Sequence, residues 1–261
     1  EEALGPETRQ VCASLRHRAP VFLRVNLRKS DRAAAMHLLA EDGVTTRPHP
    51  RVATALVVED GARRVAQGRA YAEGVVELQD AASQAVVEEL PLRKGMTVLD
   101  FCAGGGGKTL AMAGLAEARF TAHDANPGRI ADLGTRAKRA GVRVGVEAHP
   151  QGPYDLVLCD VPCSGSGSWR RAPEGKWTLT PEGLARLNAT QDAILEETAA
   201  LVAPDGTLAY ATCSILPAEN GQRLAAFLER HPDWRLTSES RWLPGEEGDG
   251  FYLARLSRSG A

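Results

Sequence analysis

Hydrophobic and polar positions follow two different rhythms along this chain. After residue 95, short apolar runs of strand character alternate with longer stretches of helical period. The strand-like segments are 98–99 leading into Asp100, 120–123 leading into Asp124, 142–147, 156–159, 208–211 and 250–254. Residues 156–159 are continuously apolar before Asp160, as in a strand covered on both faces. The helical segments are 110–115, 127–139, a long one beginning near Pro181, and 217–230. In the long one Leu184, Leu187, Ile194, Leu195, Thr198, Leu201 and Val202 share a face. Pro204-Asp205-Gly206 reads as a turn. Strands alternating with helices predict a doubly wound α/β domain.

The first 80 residues are patterned differently. Residues 21–27 alternate as a strand with Arg24 and Asn26 on one face, and residues 52–58 and 64–70 read as further strands. Ser30 is a candidate cap for a helix to Glu41, with Gly43 ending it. Residues 79–84 open a helix reaching about Leu90, broken by Pro91 and Gly95. Arg16, His17, Arg18, Arg24, Arg28, Lys29 and Arg32 crowd this region. The expectation is a small α+β module over residues 1–80 whose basic face follows a phosphate backbone, the alternative being a solvated charged surface. Residues 81–261 then form the main domain. There are no internal repeats and no low-complexity linker.

Composition narrows the class only a little. The 261 residues, 43% hydrophobic and 25% charged, suit one large globular domain or a domain with a small companion. No apolar run approaches the roughly 20 residues of a membrane span, and no signal peptide is visible at Glu1-Glu2-Ala3-Leu4. The chain begins without Met, so it is expected to be a fragment or trimmed. Five cysteines, an odd number without paired zinc-ligand spacing, predict a reducing cytoplasmic setting and no metal. A net charge of −2 gives no global nucleic-acid signature, so any nucleic acid must be held by local patches.

The sharpest chemical signal is residues 98–109, where four glycines, Gly104 to Gly107, follow a strand and open a helix. Such a turn lies at the carboxyl end of a strand, where open α/β sheets bind ligands. A Walker loop needs glycine where Cys102 stands, and the dinucleotide pattern needs one where Thr109 stands. Asp100 before the glycines suits a cationic ligand, such as the amino group and sulfonium of S-adenosylmethionine. Other strand ends contribute to the same rim. Asp124, some 24 residues on, stands where a carboxylate takes ribose hydroxyls. Glu147 is placed to flank an adenine, and Asp160, Cys163 and Cys213 end the next two strands. Two thiols and an acid beside a nucleotide-shaped site match methylation of a pyrimidine at carbon 5. A thiolate adds to carbon 6, an acid stabilises charge near nitrogen 3, and a base removes the carbon-5 proton.

The motifs Asp100-Phe-Cys-Ala-Gly-Gly-Gly-Gly-Lys-Thr109, Asp160-Val-Pro-Cys-Ser-Gly165, Lys176-Trp177, Tyr210-Ala-Thr-Cys-Ser214 and Asp249-Gly-Phe-Tyr-Leu-Ala254 resemble the RNA 5-methylcytosine methyltransferases of the RsmB/Sun type. The resemblance runs from about Pro20 to Leu256 and implies a Rossmann-like class I methyltransferase sheet. It implies Cys213 as nucleophile, Cys163 as the thiol assisting product release, and Asp160 as the group orienting and protonating cytosine. DNA cytosine methyltransferases attack with the cysteine after proline, which here is Cys163; the resemblance favours Cys213. It implies an S-adenosylmethionine site of Cys102, Ala103, Gly104, Gly105, Gly106, Gly107, Lys108, Asp124, Arg129, Glu147 and Asp160. Lys176 would pair with an active-site carboxylate, and Gln79, Asp80 and Ser83 match a segment near the cleft. Arg170, Arg171 and Lys176, interleaved with Trp169 and Trp177, are placed to grip phosphates and stack on an unpaired base.

Three departures stand out. Gly104-Gly105 replaces the family's usual Ala-Pro, which predicts a looser loop and weaker cofactor binding. Glu147 replaces a more common Asp. Little is present of the extra N-terminal helical RNA-binding domain that bacterial relatives often carry. The implied substrate is ribosomal RNA of the small subunit, with transfer RNA next; the protein is expected to be monomeric. A DNA methyltransferase and a catalytically weak RNA-binding assembly factor are the alternatives.

Overall fold

A computed structural model describes residues 4–259. After a short helix α1 (Thr8–Ser14), the chain forms β1 (Val21–Val25), α2 (Arg32–Glu41), β2 (Thr45–Pro48), β3 (Ala55–Asp60), α3 (Arg69–Ala72) and β4 (Val76–Leu78). The four strands make an antiparallel sheet in the order β2-β3-β1-β4, with Leu23, Val25, Leu39, Leu56 and Val76 in its core. The cap of α2 is Asp31 rather than Ser30; its carboxylate accepts the Ala34 N–H at 2.8 Å. Residues 64–70 are not a strand. They form a 3-10 turn and the start of α3, because Gly68 breaks the run and Asp42 takes the Ala70 N–H at 3.0 Å.

Helix α4 (Ala81–Glu88) leads into the larger sheet. There β5 (Thr97–Asp100), α5 (Gly107–Leu115), β6 (Arg119–Ala122), α6 (Pro127–Ile130), α7 (Leu133–Ala140), β7 (Val144–Val146) and β8 (Tyr154–Asp160) alternate. The chain continues through α8 (Gly175–Thr178), α9 (Pro181–Ala199), β9 (Val202–Thr212), α10 (Gly221–Arg230), β10 (Trp234–Trp242) and β11 (Phe251–Arg258). The strand order is β10-β11-β9-β8-β5-β6-β7, parallel from β9 through β7 and antiparallel at β11 and β10. Leu99, Val157 and Tyr210 point to the face covered by α9 and α10. Val98, Leu158 and Ala211 point to the opposite face, with Val86 of α4 and Met112 of α5. The order reverses between β5 and β8, the place where such a sheet opens a crevice.

Two predicted elements change form. Residues 127–139 divide into α6 and α7. Residues 204–206 are not a free turn but a bulge inside β9, where β9 advances from Val202 to Thr207 while β8 advances from Tyr154 to Leu156. The N-terminal basic cluster also divides. Arg16, His17 and Arg18 are exposed. Arg28 instead donates to the carbonyls of Ala113 and Ala116 at 2.7 and 2.9 Å, around the end of α5. Lys29 reaches the carbonyls of Glu73 and Arg139 at 2.6 Å each, and Asn26 that of Ala140 at 2.8 Å. Cations at the carboxyl ends of helices meet the negative end of the dipole, so these side chains bind the two sheets together rather than facing solvent.

Candidate active site

A cavity of about 1270 Å³ lies at the reversal point. Its floor is the end of β5. The Asp100 carboxylate is 1% exposed; one oxygen accepts from the Thr109 hydroxyl at 2.6 Å, and Oδ1 has no partner among the described residues. Burial, with the nearby Asp160 charge adding, pushes its pKa up to about 7.

The glycine turn wraps this floor. Gly104 takes a φ of +53° and donates its N–H to Asp124 at 2.8 Å. Gly106, at φ +76°, faces away from the cavity; a Cβ there would meet Leu133 at 2.3 Å, so only glycine lets α5 pack on α7. Contacts reach both glycines of the Gly104-Gly105 pair. The Gly105 carbonyl accepts from Arg136, which pairs with Glu77 of β4 at 2.6 Å. The Gly107 carbonyl accepts from Arg24 of β1 at 2.7 Å, and Arg24 also binds the Gln79 side chain. The N-terminal sheet therefore braces the turn from behind.

Cys102, Ala103, Gly104, Gly105, Gly107, Lys108, Asp124, Arg129, Glu147 and Asp160 all line the cavity. Both Asp124 oxygens accept backbone N–H groups, from Gly104 and from Asn126 at 2.9 Å, and Arg129 stands 3.5 Å away. Lys108, 8% exposed, pairs with Asp160 at 2.7 Å and lies over the Phe251 ring. Burial opposes the Lys108 charge, but Asp160 outweighs it and the pKa stands above its ordinary value. Burial raises the Cys102 thiol and keeps it protonated.

Cys163 and Cys213 meet at the cavity wall with their Sγ atoms 3.4 Å apart. A hydrogen bond from Cys163 holds the Cys213 pKa below its ordinary value against burial, with Lys108 helping. The same bond raises Cys163 well above its own. A second cavity of about 470 Å³ reaches Cys213 between the two sheets, past Phe22, Leu78, Gln79, Ser83 and Phe251. Cys213 thus lines both cavities and Cys163 the larger one.

Residues 87–257 match the family described as 16S rRNA methyltransferase RsmB/F. The chain belongs to this family. Residues 1–65 match the ferredoxin-like domain of RsmF/B-like methyltransferases. RsmB/F enzymes are S-adenosylmethionine-dependent. Ribosomal RNA small subunit methyltransferase B of Vibrio cholerae is 36% identical over 99% of this chain. Its counterpart from Cronobacter sakazakii is 37% identical over 96%. The chain spans 63% and 62% of those two proteins, less than two thirds of their length. The crystal structure of PH0851, at 30% identity, superposes with a TM-score of 0.91 over 98% of this chain and 63% of that one. NSun6 from Pyrococcus horikoshii, solved with SFG, shares the fold at 16% identity, with a TM-score of 0.85 over 97% of this chain and 94% of that one.

Within this RsmB/F framework, four expected residues sit elsewhere: Lys176, Arg170, Arg171 and Trp169. Lys176 on α8 is exposed and forms no ion pair among the described residues; its ammonium lies 5.2 Å from the Trp177 ring, and Lys108 is the lysine paired with Asp160. Arg170 does not face a phosphate. It is buried against Asp249 at 2.6 Å, 2% and 3% exposed, and binds the carbonyls of Gly245 and Gly248. Arg171 pairs with Asp249 and with Asp80 at 2.8 Å, joining the loop after Cys163 to the start of α4. Trp169 donates to the Ser164 carbonyl at 3.2 Å, leaving Trp177, 80% exposed, as the free aromatic surface.

Glu219 was not among the expected site residues. It is 0% exposed and accepts from Ser164, Ser214 and Gln191 behind the thiols. The sequence carries no sign of this beyond an acid six residues after Cys213.

Proposed function

We propose that this chain methylates carbon 5 of cytosine in RNA, using S-adenosylmethionine and a transient covalent bond to Cys213, and that small-subunit ribosomal RNA is its substrate. The observation that carries the reading is the 3.4 Å approach of Cys163 and Cys213 on the wall of the larger cavity, with Cys213 also lining the second.

The residues of the larger cavity fit the cofactor. The buried, unpartnered Asp100 Oδ1 is an acceptor awaiting a donor. Asp100, Asp124, Glu147 and Asp160 give the cavity acidic walls suited to a cation. When bound there, S-adenosylmethionine supplies the electrophilic methyl group. Cys102 to Gly105, Gly107 and Lys108 would hold it along the turn, with Asp124 and Glu147 at its nucleoside end.

The chain's own groups account for the proton and thiol chemistry. Cys213 attacks as the thiolate that Cys163 and Lys108 favour. Asp160, held by Lys108 through Oδ2, is placed to accept from the cytosine amino group and to keep a proton at nitrogen 3. While Cys213 is charged, Cys163 retains its proton, because a second charge 3.4 Å away is unfavourable. Once the Cys213 sulfur is bonded to carbon 6, that opposition ends; Cys163 can then lose its proton to solvent and, as the thiolate, take the carbon-5 proton, which restores the double bond and expels Cys213 as the thiolate. RNA would approach through the second cavity, with exposed Arg16, His17 and Arg18 of the N-terminal module and Trp177 outside it.

The test is incubation with tritiated S-adenosylmethionine and either small-subunit ribosomal RNA, transfer RNA or DNA. Digestion and chromatography should place the label in 5-methylcytidine from the ribosomal RNA. Label confined to DNA, to transfer RNA, or to another base or ring position would overturn this reading.

A further inference from the structure

Cys163 and Cys213 are fifty residues apart in sequence and belong to separate loops. Their spacing must be held by contacts between those loops. One is backbone: the Gly167 N–H donates to the Cys213 carbonyl at 2.9 Å. Others run through the Ser166 hydroxyl, which lies 2.9 Å from that of Ser214 and accepts from the Ile215 N–H at 3.0 Å. A further set, the one nearest the two sulfurs in sequence, converges on Glu219. Its Oε2 accepts from the hydroxyls of Ser164 and Ser214, each at 2.5 Å. Its Oε1 accepts from the Ser164 N–H at 2.8 Å and from Gln191 at 3.1 Å. Ser164 follows one thiol residue and Ser214 follows the other, so one carboxyl group binds both loops directly beside the sulfurs.

Neighbours lock this group in turn. Tyr210 donates to the Glu219 carbonyl at 2.6 Å, and Gln191 reaches the carbonyl of Pro162, the residue before Cys163, at 3.0 Å. Asn220 binds the Thr212 hydroxyl at 2.6 Å and the Ser214 carbonyl at 3.0 Å. Glu219 lines neither cavity and has no cationic partner among the described residues. An acid buried without a cation is held by its hydrogen bonds alone, and all four of these end on the thiol loops or on the helix behind them.

We propose that Glu219 is a positioning residue that sets the separation of Cys163 and Cys213 by tying Ser164 to Ser214. Its effect on turnover rests on the methyl-transfer reading above; its effect on the thiols does not.

The test is Glu219→Gln in the full chain. The amide keeps the shape but presents an NH₂ to at least two of the four donors. Iodoacetamide alkylation of each cysteine, followed by mass spectrometry across pH without RNA or cofactor, reads the thiol pair directly. Loss of the Cys163 hydrogen bond should move the Cys213 profile to higher pH and slow its alkylation near neutrality about tenfold. Single-turnover methyl transfer should slow with the KM for S-adenosylmethionine unchanged. A purely structural role would lower the unfolding midpoint and leave the alkylation profile of the folded variant at its wild-type position, which would overturn the proposal. If Glu219→Gln does not fold, Ser164→Ala cuts one tie only and must shift the Cys213 profile the same way; a wild-type profile there overturns it too. Altered alkylation in a protein that methylates no RNA would leave the positioning role standing and remove the methyl-transfer reading instead.

Discussion

Arg24, on the first strand of the N-terminal sheet, donates to the carbonyl of Gly107, 2.7 Å away, where the helix after the glycine turn begins. A guanidinium that sequence alone assigns to a phosphate is thereby part of the wall behind the larger cavity. Burial lowers its pKa to about 10, still high enough to keep it charged at neutral pH.

Replacing Arg24 with Ala leaves the Gly107 carbonyl and the Gln79 side-chain oxygen without this buried donor. The expected loss of stability is about 1–3 kcal/mol. Urea unfolding measures it, and calorimetry should show weaker S-adenosylmethionine binding in the folded variant. Unchanged cofactor affinity would mean that the brace does not shape the turn.

Arg170→Ala removes one half of an almost fully buried ion pair with Asp249. The Asp249 carboxylate keeps Arg171 but loses its buried partner, and the carbonyls of Gly245 and Gly248 lose their donor, so the cost should be about 1–3 kcal/mol. The salt dependence of RNA binding should stay at its wild-type slope, because Arg170 does not reach a phosphate. A shallower slope, measured by filter binding over a salt series, would place Arg170 on the RNA after all.

Trp177→Ala tests the opposite case. The side chain is 80% exposed, so stability should change by less than about 0.5 kcal/mol. If Trp177 stacks on an unpaired base, RNA affinity should fall by about 1–3 kcal/mol. Fluorescence anisotropy with labelled RNA reads this, and an unaltered affinity would exclude the contact.

Asp100 gives the unliganded protein a pH dependence of definite sign. Its carboxyl titrates near 7 in the fold against 3.8 when unfolded. Between those values the folded state binds more protons than the unfolded one, so stability falls as pH rises. The contribution is complete below pH 4 and lost above about 7. The difference in urea midpoint between wild type and Asp100→Asn, followed from pH 4 to 8, should therefore decline across that window and level off above it.

The parts of this fold that could be read from sequence are those fixed by local chemistry. Four glycines between a strand and a helix, and Pro-Cys and Thr-Cys at strand ends, place the rim of the cavity without any coordinates. Strand β10 escaped because its residues are mostly exposed at the sheet edge, which erases the apolar alternation. The fates of Arg24, Arg28 and Lys29 escaped because a flexible cation's partner is set by tertiary packing, here the start of one helix for Arg24 and the carboxyl ends of helices for Arg28 and Lys29, each with a partner more than 80 residues away. Glu219 escaped for the same reason. Its partner Ser164 lies 55 residues earlier, and nothing local to an acid in a 3-10 turn marks it as the tie between two thiols.

The roles of the two thiols decide the chemistry most directly. Cys163→Ala and Cys213→Ala should each be incubated with S-adenosylmethionine and substrate RNA, then run on a denaturing gel. Cys163→Ala should accumulate a protein–RNA adduct that migrates above the free chain, because the first bond forms and release fails. Cys213→Ala should show none. An adduct in Cys213→Ala and its absence in Cys163→Ala would contradict the account and give the attack to Cys163.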